Sequence, residues 1–304
     1  MSASGSREQA ARNRQQKLEA VQASQRQRRR LVVAGGAVAG VAVLIAIVIG
    51  VGLATGGTHR KQAAAPPSGA ATAALAQLAG MPAATLVAIG VGDVENPVVL
   101  ADQPALTEAG KPLAVYIGAE YCPFCAAQRW PVVQALSRFG TWSNLAATTS
   151  AADDSFPNTP TFSFHGATYT SDYLAFQGVE TETNKRGAKG YQPLDAVTDA
   201  QAKLLETYNA PPYVPKESAG TIPFLDFGNR FAVSGSSFSP QLLQGKTMQQ
   251  ITAALADPKS PIARGIGGAS NMLTAAICEM TNGKPVNVCD AADISAIRGH
   301  LRDK

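Results

Sequence analysis

Cysteine is absent from the first 121 residues of this 304-residue chain, and histidine occurs three times in all. The full set of thiols is Cys122, Cys125, Cys278 and Cys289, while His59, His165 and His300 form no ligand pattern with them. The spacing that a zinc site requires is therefore missing, and no metal or other cofactor is expected. Basic charge is missing from most of the chain as well. The first 30 residues carry eight Lys/Arg against two acids, a balance of +6, although the whole chain is only +4. Everything that follows sums to −2, too little positive field to gather phosphate backbones, so nucleic acid is not an expected partner. No internal repeat is visible. Hydrophobic residues make up 45% of the chain, which excludes general disorder.

What is present begins with a run that has no charge at all. Residues 31–54, LVVAGGAVAGVAVLIAIVIGVGLA, are 24 uncharged positions. At the helical rise they reach about 36 Å, more than the roughly 30 Å of a bilayer's hydrocarbon core. A cleaved signal peptide has a shorter apolar stretch and a shorter basic head, so the run reads as an uncleaved signal anchor. Arg28, Arg29 and Arg30 precede it directly and hold the N-terminus in the cytoplasm. The expected organisation is a basic cytoplasmic tail over 1–30, a transmembrane helix over 31–54, a linker over 55–70 and an extracytoplasmic domain over 71–304. All four cysteines then lie where disulfides persist.

Within that domain, TAALAQLAG reads as a short helix and Thr85 to Ile89 as a strand. LAVYIGA is a buried strand ending directly before Cys122-Pro-Phe-Cys125, and AAQRWPVVQALSRFG continues as a helix that stops at Gly140. Cys122 is thereby placed at a helix N-terminus, where unpaired N–H groups and the helix dipole favour a thiolate. It is the expected attacking, exposed thiol, with Cys125 one turn inside as the resolving one. Glu120 and Arg129 flank the pair and would tune the thiol pKa in opposite directions. A redox pair is favoured over an inert structural disulfide or half of a metal site. Tyr116, Trp130, Trp142 and Phe227 read as core.

Further on, FSFHGATYTSDYLAF suggests a hairpin with His165 at its surface, and Thr198 and Gln201 form a capping box opening a helix over 199–208. Residues 218–235, SAGTIPFLDFGNRFAVSG, read as a β-hairpin introduced by Ile222-Pro223, with its turn at Gly228 and Asn229. TMQQITAALAD supplies a closing helix. Near the end, AICEMTNGKPVNVCD sets Cys278 and Cys289 around an Asn-Gly turn, which predicts a second disulfide. A staple is favoured there over an exposed shuttle pair exchanging electrons with Cys122.

VYIGAEYCPFC together with the Ile-Pro hairpin resembles the thioredoxin superfamily. That resemblance implies an α/β thioredoxin-like fold, with Pro223 as the cis-proline beside the cysteines and Ile222 offering backbone hydrogen bonds to an extended substrate. The chain departs from that pattern by a long insertion, about 141–217, between the CxxC helix and the cis-Pro hairpin, and a helical extension follows over about 258–304. Tyr116 stands where thioredoxins carry a buried acid, and Trp130 takes the place of their helix proline, with Pro131 following. At a finer level AEYCPFCAAQRW, RFGTWSNL, PTFSFHGATYTSDYLAFQGVE and CEMTNG resemble the membrane-anchored bacterial proteins of domain of unknown function family 929. The expected function is a thiol-disulfide oxidoreductase acting on protein thiols or disulfides outside the membrane, oxidase or isomerase rather than reductase, with a redox partner in the membrane. The alternative is an envelope interaction module whose CxxC is a structural disulfide.

Overall fold

The computed structural model describes residues 69–94 and 97–302. The expected tail and transmembrane helix lie outside those residues. Among the described residues no single helix is long and apolar enough to cross a membrane.

The chain opens with helix α1, Gly69–Ala79, two residues ahead of the expected domain start, and α2, Ala83–Ile89. The second corrects the expected strand at Thr85 to Ile89. A short apolar run has no decisive period of its own. Here a distant residue settles it: Asn271 donates from Nδ2 to the carbonyls of Leu86 and Gly90, both at 2.8 Å, and so satisfies the helix's C-terminal end.

The central strand is β3, Lys111–Gly118, whose residues from Leu113 onward are all buried. After the short strands β1, Val98–Val99, and β2, Thr107–Glu108, it receives a parallel neighbour, β8, Ala175–Glu180, on one flank and an antiparallel one, β11, Phe224–Phe227, on the other. Beyond β11 the sheet continues through β12, Phe231–Ser234, to β1. The expected Gly228-Asn229 turn is there, both residues with positive φ, joining β11 to β12. Strand alternation divides the core in two. Leu113, Val115, Ile117 and Phe224 face a cluster with Leu204, Leu205 and Tyr208 of α4, Asp199–Tyr208. The capping box of Thr198 and Gln201 opens that helix as expected. Ala114, Tyr116, Leu225 and Phe227 belong to the larger cluster on the other face.

That larger cluster is built on α3, Pro123–Leu136, and α6, Pro261–Met280. Helix α3 ends at Leu136 with Ser137 as its cap, and a turn carries the chain to Gly140, so the helix stops four residues before the expected point. It is buried on every side, which is why Trp130, at 0% exposure, donates its indole N–H inward to the Pro160 carbonyl. Helix α6 packs against α3 and α8, Ala292–Arg302. The closing helix α5, Met248–Ala254, is capped by Thr247 with Gln250.

The stretch expected to form one hairpin around His165 is instead split among three sheets. β6, Pro160–Ser163, pairs with β5, Ala146–Thr149; β7, Thr168–Thr170, pairs with β4, Thr141–Ser143; and β8 joins β3. An aromatic nest of Trp142, Phe164, Tyr169 and Phe176 ties these pieces together, with Trp142 stacked on Phe164 at 5.4 Å. The last hairpin, β9, Glu182–Gly187, with β10, Gly190–Pro193, follows β8 directly.

Candidate functional site

The site forms where β3 ends and α3 begins. Cys122 is the N-cap of α3, with extended backbone, and its sulfur accepts the Cys125 backbone N–H at 3.3 Å. Pro123 takes the first helical position, where no N–H is needed. From across the sheet, the Cys122 thiol donates to the Ile222 carbonyl at 3.8 Å, and the Ile222-Pro223 bond is cis. Cys122, Cys125, Ile222 and Pro223 thus converge, and both cysteines are free thiols.

One expectation about this group is corrected. Cys122 is not exposed: only 5% of it is accessible, against 0% for Cys125. The Ile222 carbonyl and the loop before the helix cover it. Three backbone hydrogen bonds hold that loop: Thr181 N–H to Gly118, Glu120 N–H to Glu182, and Ala151 N–H to the Tyr121 carbonyl. Tyr121 also lies flat on Tyr191 of β10, ring centroids 4.2 Å apart, and Arg186 of β9 covers the far face of Tyr191 at 4.1 Å. Asp153 accepts from both Arg186 Nε and the Tyr191 hydroxyl.

Arg129 comes to the same place from inside. Four residues after Cys125, it lies on the same side of α3. It is 0% exposed, donating from Nε to Glu180 Oε1 at 2.7 Å and from Nη2 to both Glu180 Oε2 and the Ala119 carbonyl. This forked geometry is that of an ionised pair. Its guanidinium stands 5.8 Å from the centre of the Tyr116 ring. Burial raises the Glu180 pKa against the pull of Arg129, and the Glu120 carboxylate adds to the rise.

The two thiols are separated electrostatically. Burial pushes the Cys122 pKa up, but hydrogen bonds from Cys125 and the Arg129 charge outweigh it, and the net shift is downward. Burial drives the Cys125 thiol well above the ordinary range, reinforced by its neighbouring sulfur. Cys122 is thereby the more acidic sulfur of the two and Cys125 the one that holds its proton more tightly. Burial likewise raises the Tyr116 hydroxyl far above its usual range, so this phenol stays neutral.

Glu180 carried no signal in the sequence. It ends an apolar strand whose parallel register brings Gly118 opposite Glu180, and that pairing is set by chain segments some sixty residues apart. The Cys278–Cys289 disulfide is formed, Cα atoms 5.4 Å apart, between α6 and α7, Val286–Cys289. Both cysteines are 0% exposed, so the bond is not the exposed one that a shuttle with Cys122 would need. His165 is partly buried and paired with Asp195 at 2.6 Å. Among the described residues no three His, Cys, Asp or Glu side chains gather as metal ligands.

A family model described as Domain of unknown function (DUF929) matches residues 98–279, more than half of the chain and all of this site. No curated protein and no solved structure matches.

Proposed function

The chain belongs to the DUF929 family, and within it we propose a membrane-anchored thiol-disulfide oxidoreductase of thioredoxin-like fold, working on cysteines of envelope or secreted proteins. The observation that carries this is the setting of the Cys122 sulfur. It sits between the Cys125 N–H at a helix start and the Ile222 carbonyl of the neighbouring hairpin. A structural staple has no use for a lowered thiol pKa on one sulfur alone. Support for the fold is the order of strand, CxxC helix, parallel strand and antiparallel hairpin around β3.

The favoured direction is oxidation. Starting from the Cys122–Cys125 disulfide, a substrate thiolate attacks Cys122 Sγ, the internal bond breaks, and Cys125 leaves as a thiolate that takes up a proton. The second substrate thiol, once deprotonated, attacks its partner sulfur in the mixed disulfide and releases Cys122 as a thiolate. Two electrons pass from the substrate dithiol to the protein, and a disulfide of a membrane redox partner takes them on. Isomerisation uses the same mixed disulfide without net transfer.

Cys125→Ser tests the reading, because the lone Cys122 thiolate can still attack a substrate disulfide, while no internal thiol is left to displace the substrate from the mixed disulfide that results. The variant is expected to accumulate disulfide-linked adducts through Cys122, identified by mass spectrometry after non-reducing separation, and Cys122→Ser is expected to abolish them. Absence of adducts, with no thiol substrate oxidised or reduced by the wild type, would establish the interaction module instead. Labelling of Cys122 in intact cells by a membrane-impermeant thiol reagent checks the orientation, and protection there overturns it.

A further inference from the structure

The buried ion pair of Arg129 and Glu180 is an unusual thing to find in a core. Two charges removed from water lose several kcal/mol of hydration, and well-packed apolar residues of similar size often serve stability as well or better. The pair's hydrogen bonds are also incomplete in a particular way. Glu180 is served by Arg129 Nε and Nη2 and by the Phe164 N–H at 3.3 Å, while Asp195 accepts the Glu180 backbone N–H at 3.0 Å. Arg129 Nη1, fully buried, has no partner among the described residues. A guanidinium donor left over in a dry interior is normally filled. This one belongs to a side chain one helical turn from Cys125, and its charge acts on both sulfurs.

We infer that Glu180 is a positioning residue of the thiol site, holding the Arg129 guanidinium against the Cys125 side of α3 with Nη1 free to meet the negative charge that thiol exchange develops on the sulfur pair. This rests on the oxidoreductase reading and adds the group that reading lacked. When the internal disulfide is opened, the sulfur that leaves is Cys125, which sits in the drier position and gains the most from a fixed cation. Glu180 supplies the orientation: its two oxygens take Nε and Nη2, and the Ala119 carbonyl takes Nη2 as well, so one nitrogen alone remains free. No acid is needed at position 116, since the neutral Tyr116 phenol leaves the cation undiminished. Charges that also act on these residues include Glu182 and Asp154 on Tyr121 and Glu120 on Glu180, and Asp195 accepts the Glu180 N–H.

The test uses the full-length protein in detergent, fully reduced, with Cys122 alkylation by iodoacetamide followed against pH. Arg129→Met combined with Glu180→Met exchanges the pair for apolar side chains of similar reach, a change that buried ion pairs tolerate. The midpoint for Cys122 is expected to rise by about one pH unit, with a several-fold slower reaction at neutral pH. Glu180→Gln keeps the size and one acceptor but removes the opposing charge, so its midpoint is expected to fall. Shifts of opposite sign would not arise from a merely structural pair. An unchanged midpoint in the folded double variant, a rise in Glu180→Gln, or failure of both variants to fold would overturn the inference. Alkylation needs no substrate, so shifted midpoints without any mixed disulfide in Cys125→Ser would reject the oxidoreductase reading while leaving Glu180 as the residue that sets thiol acidity.

Discussion

The Cys122 sulfur and the Ile222 carbonyl oxygen lie 3.8 Å apart across 100 residues of sequence. The contact exists because β11 pairs with β3 in a register that sets Phe224 opposite Ile117, so the residues just before β11 meet those just after β3. A thiol at a helix start and the backbone carbonyl to which it donates, just ahead of a hairpin, are thereby brought together by one sheet. Strand pairing here is what assembles the candidate site.

The Cys278–Cys289 bridge closes a short loop at the end of α6, and its contribution is to stability. Replacing both residues with Ala is expected to lower stability by about 2 to 4 kcal/mol, seen as an earlier urea midpoint. The alkylation rate of Cys122 at permissive temperature is expected to stay at the wild-type value. A lost or altered Cys122 reaction in the folded variant would contradict this separation.

Asp226 lies on β11 at 0% exposure, and among the described residues its Oδ2 has no hydrogen-bond partner. Burial raises its pKa to about 7, opposed only by the Asn229 N–H. The unfolded chain ionises this carboxyl near pH 4, so folding takes up a proton between roughly pH 4 and 7. Stability from this group is full below that window and falls as pH rises through it, by at most about 4 kcal/mol. Asp226→Asn is expected to flatten the decline, measured as urea midpoints at pH 5 and pH 7.5. An equal decline in the variant would assign the effect elsewhere.

Gly118 and Tyr116 point the same way along β3, and a Cβ at 118 would come within 2.7 Å of the buried Tyr116 ring at Cζ. Gly118→Ala is expected to destabilise by about 1 to 3 kcal/mol through overpacking. Tyr116→Phe, by contrast, removes a buried hydroxyl without a partner among the described residues and is expected to be neutral or stabilising by up to about 1 kcal/mol. Thermal melts of the two variants give the comparison; a clear loss in Tyr116→Phe would mean that the hydroxyl has a partner after all.

Much of the site was legible because its spacing is local. The strand before Cys122, the helix after it, the four-residue step to Arg129 and the Thr198 capping box all depend on neighbours within a turn or two. The contact with Ile222 was legible only through a resemblance, since no local rule joins residues so far apart. Glu180 could not be read at all: it looks like the polar end of an apolar strand until the parallel pairing of β8 with β3 delivers it to Arg129. The Thr85 to Ile89 segment shows the same limit, its helical state depending on Asn271, 185 residues from Leu86. The burial of Cys122 follows from long-range cover by Ile222 as well, and a position at a helix start says nothing of what lies above it.

Because both cysteines of the bridge at the end of α6 are 0% exposed while Cys122 at the start of α3 keeps 5% accessibility, the chain holds two sulfur couples that need not communicate. A titration with mild reductant would count two thiols in the native protein and four only after the core is opened. Under the proposed function, the domain would pass through its dithiol and disulfide forms repeatedly without loosening the fastening of its last helices, keeping scaffold and working couple on separate electrical circuits.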